Sequence, residues 1–218
     1  MLRLNIGDIF LLFDGTGYEY FSQIVSLNSH EAELKILKKD NPVRESPLTI
    51  HLGQALPKAD KMNFIIQKAV ELGVSEIHPF YSSRTLPRYN EKQLNSRVQR
   101  WQKISQEASR QSGRNHIPAV HLPIDFFSLL KLPRDDSLKI LLQEKSLENS
   151  LKDIMQIENP KKVIFFLVGP EGGFSREEIS SSLDSGFRPV SLGQRTLRTE
   201  TAAITLLSIV QYEWGDLY

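Results

Sequence analysis

The chain has 218 residues, a formal net charge of +1 at pH 7 and no cysteine. That length allows one large domain or a medium domain with a small one. Without cysteine there can be no disulfide framework, thiolate metal site or cysteine nucleophile, and the composition fits a reducing compartment. The start of the chain lacks a signal-peptide pattern and no apolar run is long enough to span a membrane, so the sequence predicts a cytoplasmic protein.

The first 40 residues predict β-structure. An apolar run at 9–13 precedes turn residues at 14–17, and two further strands are predicted at 18–26 and 32–37. Three strands cannot bury a core of their own, so this part needs more strands or a partner surface. A stretch with two prolines, 41–47, then predicts a linker.

From Leu48 onward, strand and helix patterns alternate, which predicts a mainly parallel sheet with helices on both faces. The predicted strands are 48–52, 77–80, 138–142, 163–168 and 189–192. The predicted helices are 58–72, 90–112, a short one from about 147, one capped by Ser175 and Glu178, and a last one from Thr199 or Thr201 to about Trp214.

The most informative segment is 163–203. Two apolar strands here each lead into a loop and then a helix: the first loop is 169–173, with the sequence GPEGG, and the second is 192–198. Glycine-rich loops at the carboxyl ends of neighbouring strands are where open α/β sheets bind ligands. GPEGG matches neither the Rossmann fingerprint nor the P-loop, and a plain tight turn is the alternative. We expect a nucleotide-like cofactor at these loops.

The second loop carries Arg195 and Arg198, and Glu200 follows at the start of an apolar helix. Charged groups beside apolar elements tend to be paired or functional. The alternative is a surface ion pair at a helix N-terminus, where Glu200 would favour the helix dipole but Arg198 would oppose it. The last helix is apolar on more than one face, so it is either the central helix of the domain or has one face against a second subunit.

The histidines show no metal-ligand spacing such as HxxxH, and no metal site is predicted. This prediction considers His51, His78, His116 and His121.

Several motifs resemble one family. The segments LVGPEGGFSREEI, LGQRTLRTETA, QKAVELGV followed by IHPF, and EASRQSGRNHIPAV are similar to the ribosomal RNA small subunit methyltransferase E family, which belongs to the SPOUT class. The resemblance runs in order from about residue 2 to the C-terminus, and the pair of GPEGG with LGxRxLRxETA is its most specific part. Thr196 stands where the family commonly has isoleucine, and some twenty residues that usually precede the position of Leu2 are missing.

The resemblance implies the architecture and the reaction. It implies a PUA-like β domain over 1–43 that lacks its first strand, and a SPOUT methyltransferase domain over 44–218. That domain would have a mainly parallel sheet and a C-terminal trefoil knot, and it would form a homodimer that includes the C-terminal helix. Members transfer the methyl group of S-adenosylmethionine to N3 of a uridine in 16S ribosomal RNA of the assembled small subunit.

The resemblance also implies which residues hold the cofactor. The two glycine loops and the strand end before Glu144 match the family's cofactor-side segments. The implied cofactor residues are Leu142, Val168, Gly169, Pro170, Glu171, Gly172, Gly173, Leu192, Gly193, Thr196 and Leu197.

For catalysis, we hypothesise roles for Arg198 and Glu200. Uridine N3 carries a proton, so a base or a group that stabilises the anionic ring is needed. Arg198 would stabilise negative charge on the uracil carbonyl oxygens, and Glu200 would orient Arg198 or accept the proton. Glu171 could hold the positively charged end of the cofactor.

Arginines and lysines gather between residues 58 and 114, and solvated helix faces are the simplest interpretation of most of them. The donor-rich helix end at 110–116 can contact phosphates or a base edge. Together with the N-terminal β domain, the expected RNA contacts are Arg84, Arg88, Arg110 and Arg114.

Two other functions stay open from the sequence. One is an RNA-binding module of the same fold that has lost methylation. The other is an enzyme that binds a different adenine nucleotide in the same loops, such as a nucleotidyl transferase. The chain lacks a Walker lysine and a Mg²⁺-binding aspartate cluster, which argues against phosphoryl transfer.

Overall fold

The computed structural model describes residues 4–86, 89–144, 150–157 and 162–218. The chain divides into two compact units. The first comprises Met1–Glu45 and Ser109–Ile117, and the second comprises Ser46–Ala108 and Pro118–Tyr218. The segment 109–117 therefore belongs to the first unit, although the sequence assigned it to the second domain.

The first unit contains a three-stranded antiparallel sheet in the order β1-β2-β3. Its strands are β1 (Ile9–Phe13), β2 (Glu19–Leu27) and β3 (Ala32–Asp40). The returning segment is attached within this unit by Asn115, whose side-chain amide donates to the carbonyl oxygens of Gly17 (2.8 Å) and Pro42 (3.2 Å). It supplies some of the extra contacts that so small a sheet needs.

The second unit contains a seven-stranded sheet in the order β10-β8-β9-β4-β5-β6, with β7 also paired to β5. Every pair in it is parallel, so the predicted mainly parallel sheet is confirmed. The strands are β4 (Thr49–Ala55), β5 (Glu76–Tyr81), β6 (Ala119–Val120), β7 (Ile124–Asp125), β8 (Leu138–Leu142), β9 (Val163–Val168) and β10 (Arg188–Val190).

Six helices accompany these strands in the described part of the chain. They are α1 (Lys61–Glu71), α2 (Glu91–Ser112), α3 (Phe126–Leu129), α4 (Leu151–Ile157), α5 (Arg176–Asp184) and α6 (Thr199–Trp214). None of the helices among the described residues has the length and apolar character needed to cross a bilayer.

Strand β9 is buried on both faces of the sheet. Ile164, Phe166 and Val168 pack into a core with α1, α2 and α6, while Phe165 and Leu167 pack into a second core with α3. Successive strand residues point to opposite faces. The continuous apolar run of this strand therefore follows from helices covering both sides.

Three short elements were not predicted, and several boundaries differ from the sequence prediction. The predicted start of the short helix at about 147 lies outside the described residues, and α4 is described from Leu151. Strands β6 and β7 and helix α3 have two to four residues each, too few to produce a periodic pattern. Helix α1 begins at Lys61 and not at Lys58, because Ala59 has a φ of 56°, outside the helical region, and the Lys58 N–H donates to Glu171.

A buried carboxylate joins α5 to the loop after β5. Glu178, which is 3% exposed, forms the predicted capping box with Ser175. It also accepts hydrogen bonds from the Ser83 N–H (2.8 Å) and from the hydroxyls of Ser82 (3.2 Å) and Ser83 (3.0 Å). Burial raises the pKa of Glu178, but these hydrogen bonds lower it more, and the pKa lies below its ordinary value of 4.5.

We expect Glu178→Gln to lower the free energy of unfolding by about 1–3 kcal/mol at pH 7, because an amide cannot accept hydrogen bonds at both of its polar atoms. The folded-state pKa is depressed, so ionised Glu178 stabilises the fold above its ordinary, unfolded-state pKa of 4.5. This contribution is lost as the pH falls through the folded-state pKa. Urea unfolding at pH 7 and pH 3 measures the difference, which should shrink at pH 3.

The control is Glu177→Gln, at the exposed neighbouring position in the first turn of the same helix. It should change stability little. Equal losses in the two variants would contradict a special role for Glu178.

Candidate active site

A cavity of about 580 Å³ lies where β8, β9 and β10 end. Its walls come from the three loops that follow these strands, at 142–144, 168–174 and 192–199. Because the strands are parallel, their carboxyl ends meet at one edge of the sheet, where α/β folds place their ligands. The cavity is lined by every residue that the sequence assigned to the cofactor, and also by Glu144.

Two glycines explain why the loop backbone itself can form the wall. A Cβ at Gly169 would lie 3.0 Å from the ring of Phe174, and Gly193 has a φ of +123°. Any other residue would meet the ring at the first position and be strained at the second. The structure thus gives both glycines a role in the turns themselves, while the approach of a ligand to their backbone stays a prediction.

A buried hydrogen-bond chain fixes the start of α6. The Thr199 hydroxyl donates to the carbonyl oxygen of Gly169 (2.8 Å) and accepts from the Gln54 side-chain amide (3.0 Å). Gln54 lies near the carboxyl end of β4 and is fully buried. The sequence analysis missed this residue, although a lone glutamine in a strand buried on both faces is a signal, because buried polar groups need partners.

Lys61 connects two acidic residues of the site. Its ammonium nitrogen lies 3.1 Å from Glu171 Oε1 and 3.2 Å from Glu200 Oε2. The hydrogen bond to Glu171 raises the pKa of Lys61 most, followed by the contact with Glu200, while burial opposes them. Burial raises the pKa of Glu171, but its own backbone N–H, Lys61 and the Lys58 N–H lower it below its ordinary value. Glu171 is therefore ionised where it lines the cavity.

Arg198 and Glu200 have different surroundings. Arg198 lines the cavity and is exposed, with extended backbone at the N-terminus of α6. Glu200 is not among the described residues that line the cavity, and its carboxylate pairs with Lys61 and not, as predicted, with Arg198. Helical residues project about 100° apart around the axis, so Thr199 points to Gly169 while Glu200 points to α1.

Arg84, predicted to contact RNA, lies at the edge of this cavity. Its guanidinium donates to the carbonyl oxygen of Gly172 (2.6 Å). The Glu178 network holds the loop that carries it. Arg88 lies outside the described residues.

The other two arginines expected to contact RNA belong to the first unit. Arg110 is exposed. Arg114 is only 8% exposed, and its Nε donates to Glu45 Oε2 (2.9 Å). The expectation that Arg114 binds RNA is therefore corrected: its guanidinium is buried against a carboxylate of its own unit.

Two family models match separate parts of the chain. Residues 44–211 match the family model of an RNA methyltransferase domain, and residues 2–37 match that of an RNA methyltransferase PUA domain. The chain is 34% identical to ribosomal RNA small subunit methyltransferase E of Buchnera aphidicola, over 99% of this chain and 84% of that protein. It is 31% identical to the Bacillus subtilis protein of the same name, over 98% of this chain and 85% of that one.

Solved structures of methyltransferases are also similar to this chain. The crystal structure of a ribosomal RNA small subunit methyltransferase E from Neisseria gonorrhoeae, bound to S-adenosylmethionine, has a TM-score of 0.90 at 37% identity. The match covers 99% of this chain and 87% of the chain in that crystal structure. A putative methyltransferase from Legionella pneumophila, also in complex with S-adenosylmethionine, has a TM-score of 0.89 at 35% identity, with the same coverage.

The burial of Arg114 leads to a test of its role. Arg114→Met should lower the free energy of unfolding by up to about 3 kcal/mol, because it leaves the Glu45 carboxylate without its guanidinium partner. Thermal unfolding, with hydrogen exchange of the backbone amides of residues 4–45, measures the loss. Arg100→Met, at an exposed position on α2, is the matched control and should change stability by less than about 0.5 kcal/mol. A stable Arg114→Met protein would refute the structural role.

Proposed function

Because this chain belongs to the ribosomal RNA small subunit methyltransferase E family and is an RNA methyltransferase, we propose that it transfers a methyl group from S-adenosylmethionine to N3 of a uridine in 16S ribosomal RNA. The observation that carries the proposal is the cavity formed by the three loops after β8, β9 and β10. Solved structures with the same fold were determined with S-adenosylmethionine bound.

The residues that line the cavity suit this cofactor. Leu142, Leu192 and Leu197 offer apolar surface to an adenine ring, and the glycine loops bring backbone donors and acceptors to the cavity. The backbone N–H of Glu171, together with Lys61 and the Lys58 N–H, keeps the pKa of Glu171 below its ordinary value, so its carboxylate favours a positively charged group nearby. When bound, S-adenosylmethionine supplies an electrophilic methyl group on a sulfonium.

The uridine acceptor requires the protein to remove one proton and to stabilise one negative charge. Uridine N3 must lose its proton before it can attack, and the ring then carries negative charge on its carbonyl oxygens. Arg198 stabilises that charge with its guanidinium, which is exposed in the cavity wall. After a base has taken the N3 proton, the N3–carbon bond forms as the carbon–sulfur bond breaks, and S-adenosylhomocysteine is the leaving group.

Glu200 acts as a positioning residue in this proposal. Through Lys61 it is connected to Glu171, so one ammonium group ties the start of α6 to the loop after β9. Its predicted role as proton acceptor stays a hypothesis, since Glu200 is not among the described residues that line the cavity.

RNA contacts are proposed for Arg84, Arg88 and Arg110. Contacts between arginine and phosphate supply affinity that falls with salt, while a uridine turned out of its stack would supply specificity. The trefoil knot, the assembled small subunit as substrate and a cytoplasmic location stay predictions.

The reaction can be tested with purified protein, S-adenosylmethionine and small ribosomal subunits that lack the modification. We expect 3-methyluridine in the nucleoside digest by mass spectrometry. Arg198→Ala should reduce turnover about 100-fold or more, with the dissociation constant for S-adenosylmethionine from calorimetry changed less than about threefold. Arg176→Ala, which removes another exposed arginine at a helix N-terminus, should retain normal turnover.

Each alternative function gives a different result. Binding of S-adenosylmethionine without any methylated nucleoside would favour a non-catalytic RNA-binding protein. Binding of ATP but not of S-adenosylmethionine would favour an enzyme that uses another adenine nucleotide. Normal turnover in Arg198→Ala would remove this arginine from the chemistry.

We also propose a homodimer through the second unit, including α6. The face of this helix that carries Leu206, Leu207 and Val210 is buried in the core. Ile204 is only half-buried, and Tyr212 is 69% exposed. Positions 204 and 212 are two i,i+4 steps apart, so they lie along one stripe of the helix. A single copy leaves this stripe partly uncovered, which supports contact with a second copy.

Ile204→Glu should shift the protein from dimer to monomer, because it places a charge in the proposed interface. Light scattering after size-exclusion chromatography measures the mass, and thermal unfolding establishes that the variant is folded. Leu183→Glu makes the same type of change at an exposed apolar residue on α5 and should leave the mass unchanged. A wild-type monomer, or a folded Ile204→Glu dimer, would contradict this interface.

A further inference from the structure

Two histidines and a glutamate meet on strands β4 and β5. His51 on β4 is paired with Glu76 on β5, and His78 follows two residues later on the same face of β5. The distance from His51 Nδ1 to His78 Nε2 is 3.3 Å. Glu76 Oε2 lies 3.4 Å from His78 Nε2 and 3.7 Å from His51 Nδ1. Three possible metal-ligand atoms from two neighbouring strands thus lie within 3.7 Å of one another.

This cluster is separate from the active-site cavity. Glu76 is the first residue of β5 and His51 the third of β4, whereas the active site lies where the strands end. A second cavity, of about 600 Å³, opens onto His51, Glu76 and His78, and Phe165 and Ile124 contribute to its apolar lining. A small ligand can therefore reach the cluster without passing the first site.

We propose that His51, Glu76 and His78 form a binding site for a divalent transition-metal ion of the zinc type. Ligands at about 2.0–2.1 Å from a tetrahedral ion are separated from one another by roughly 3.3–3.4 Å. The three observed separations, 3.3, 3.4 and 3.7 Å, are near that value, so the spacing of the three atoms suits a single ion. Two imidazoles and one carboxylate are a zinc-type ligand set, whereas Ca²⁺ and Mg²⁺ prefer oxygen ligands alone.

The protonation of the cluster is compatible with metal binding. Burial lowers the pKa of His51, and it lowers the pKa of His78 to about 4. Both rings are therefore neutral at pH 7, the form that binds metals. Burial raises the pKa of Glu76, but the hydrogen bond with His121 and the nearby histidines bring it below its ordinary value, so the carboxylate is ionised.

His121 supports the glutamate from outside the set of three. Its Nε2 lies 2.8 Å from Glu76 Oε2, and its ring stacks on His78 with centroids 4.4 Å apart. Metal-binding carboxylates are commonly held by such an outer hydrogen bond. Arg134 also borders the cavity, and its charge is paired with Asp136 at 3.1 Å.

The sequence prediction of no metal site considered only spacing along the chain. His51 and His78 are 27 residues apart, and parallel pairing of β4 with β5 brings them together. Glu76 and His78 share a face because strand residues alternate. No short sequence motif indicates such a site, because its ligands come from two strands that are joined by a helix.

The full-length protein, freed of metal with a chelator, can be titrated with zinc chloride and, in parallel, with magnesium chloride in a calorimeter. We expect one zinc ion per chain and no magnesium binding. His51→Gln and Glu76→Gln should each weaken zinc binding about 100-fold or more, and His121→Gln about 10–100-fold. A hundredfold excess of zinc over its dissociation constant should raise the wild-type Tm by roughly 5–10 °C.

The matched control is His30→Gln, which removes an exposed histidine outside the cluster and should bind zinc normally. Zinc binding that is absent from the wild type, or that falls equally in His30→Gln, would overturn the proposal. Unchanged binding in a folded His51→Gln protein would also overturn it. Both ligand variants replace partly exposed side chains, and their thermal unfolding without metal establishes folding. Methyl transfer is not the readout, so failure of the metal site leaves the proposed reaction unaffected.

Discussion

Parallel pairing of the strands in the second unit is the constraint on which both sites depend. It places the carboxyl ends of β8, β9 and β10 at one edge of the sheet, where the loops that follow them enclose the first cavity. The same constraint places His51 beside Glu76 near the opposite ends of their strands. Strand β9, which contributes residues to both cavities, is buried on both faces and cannot shift register without moving its apolar side chains out of the core. One sheet therefore holds two groups of polar residues at fixed, separate positions.

Backbone pairing alone does not fix the positions of the loops. Buried and partly buried polar side chains also hold them in place. Thr199 joins Gly169 to Gln54, and Lys61 joins Glu171 to Glu200. Each connection runs between elements that are far apart in the chain, so it resists the relative movement of loops that would otherwise be free at the surface. Since a buried polar group costs free energy when it lacks a partner, these connections favour one loop arrangement over nearby alternatives. A preorganised cavity of this kind reduces the entropy cost of binding a cofactor.

The parts of the structure that were predictable are those encoded by nearby residues. The continuous apolar run of β9, the capping box of Ser175 and Glu178 and the glycine loops all have local signals, and each is present. The parts that were missed depend on residues distant in sequence. Arg114 appeared to be a phosphate ligand because nothing nearby shows that Glu45 buries it. Glu200 appeared to be the partner of Arg198 because the two are close in the chain, yet the turn of the helix directs it to Lys61.

The position of Arg198 is the strongest physical argument for its role. A cation at a helix N-terminus is opposed by the helix dipole, and the nearest acidic residue along the chain, Glu200, pairs with Lys61. The unsatisfied N–H groups of the first turn of α6 add positive potential at the same end. Such an arrangement does little for stability, but it favours any group that becomes negative beside the cavity. A pyrimidine that has lost its N3 proton is such a group, since its charge is shared by the carbonyl oxygens on either side. The location of Arg198 is thus unfavourable for the resting protein and suited to the charge that would form in the proposed reaction.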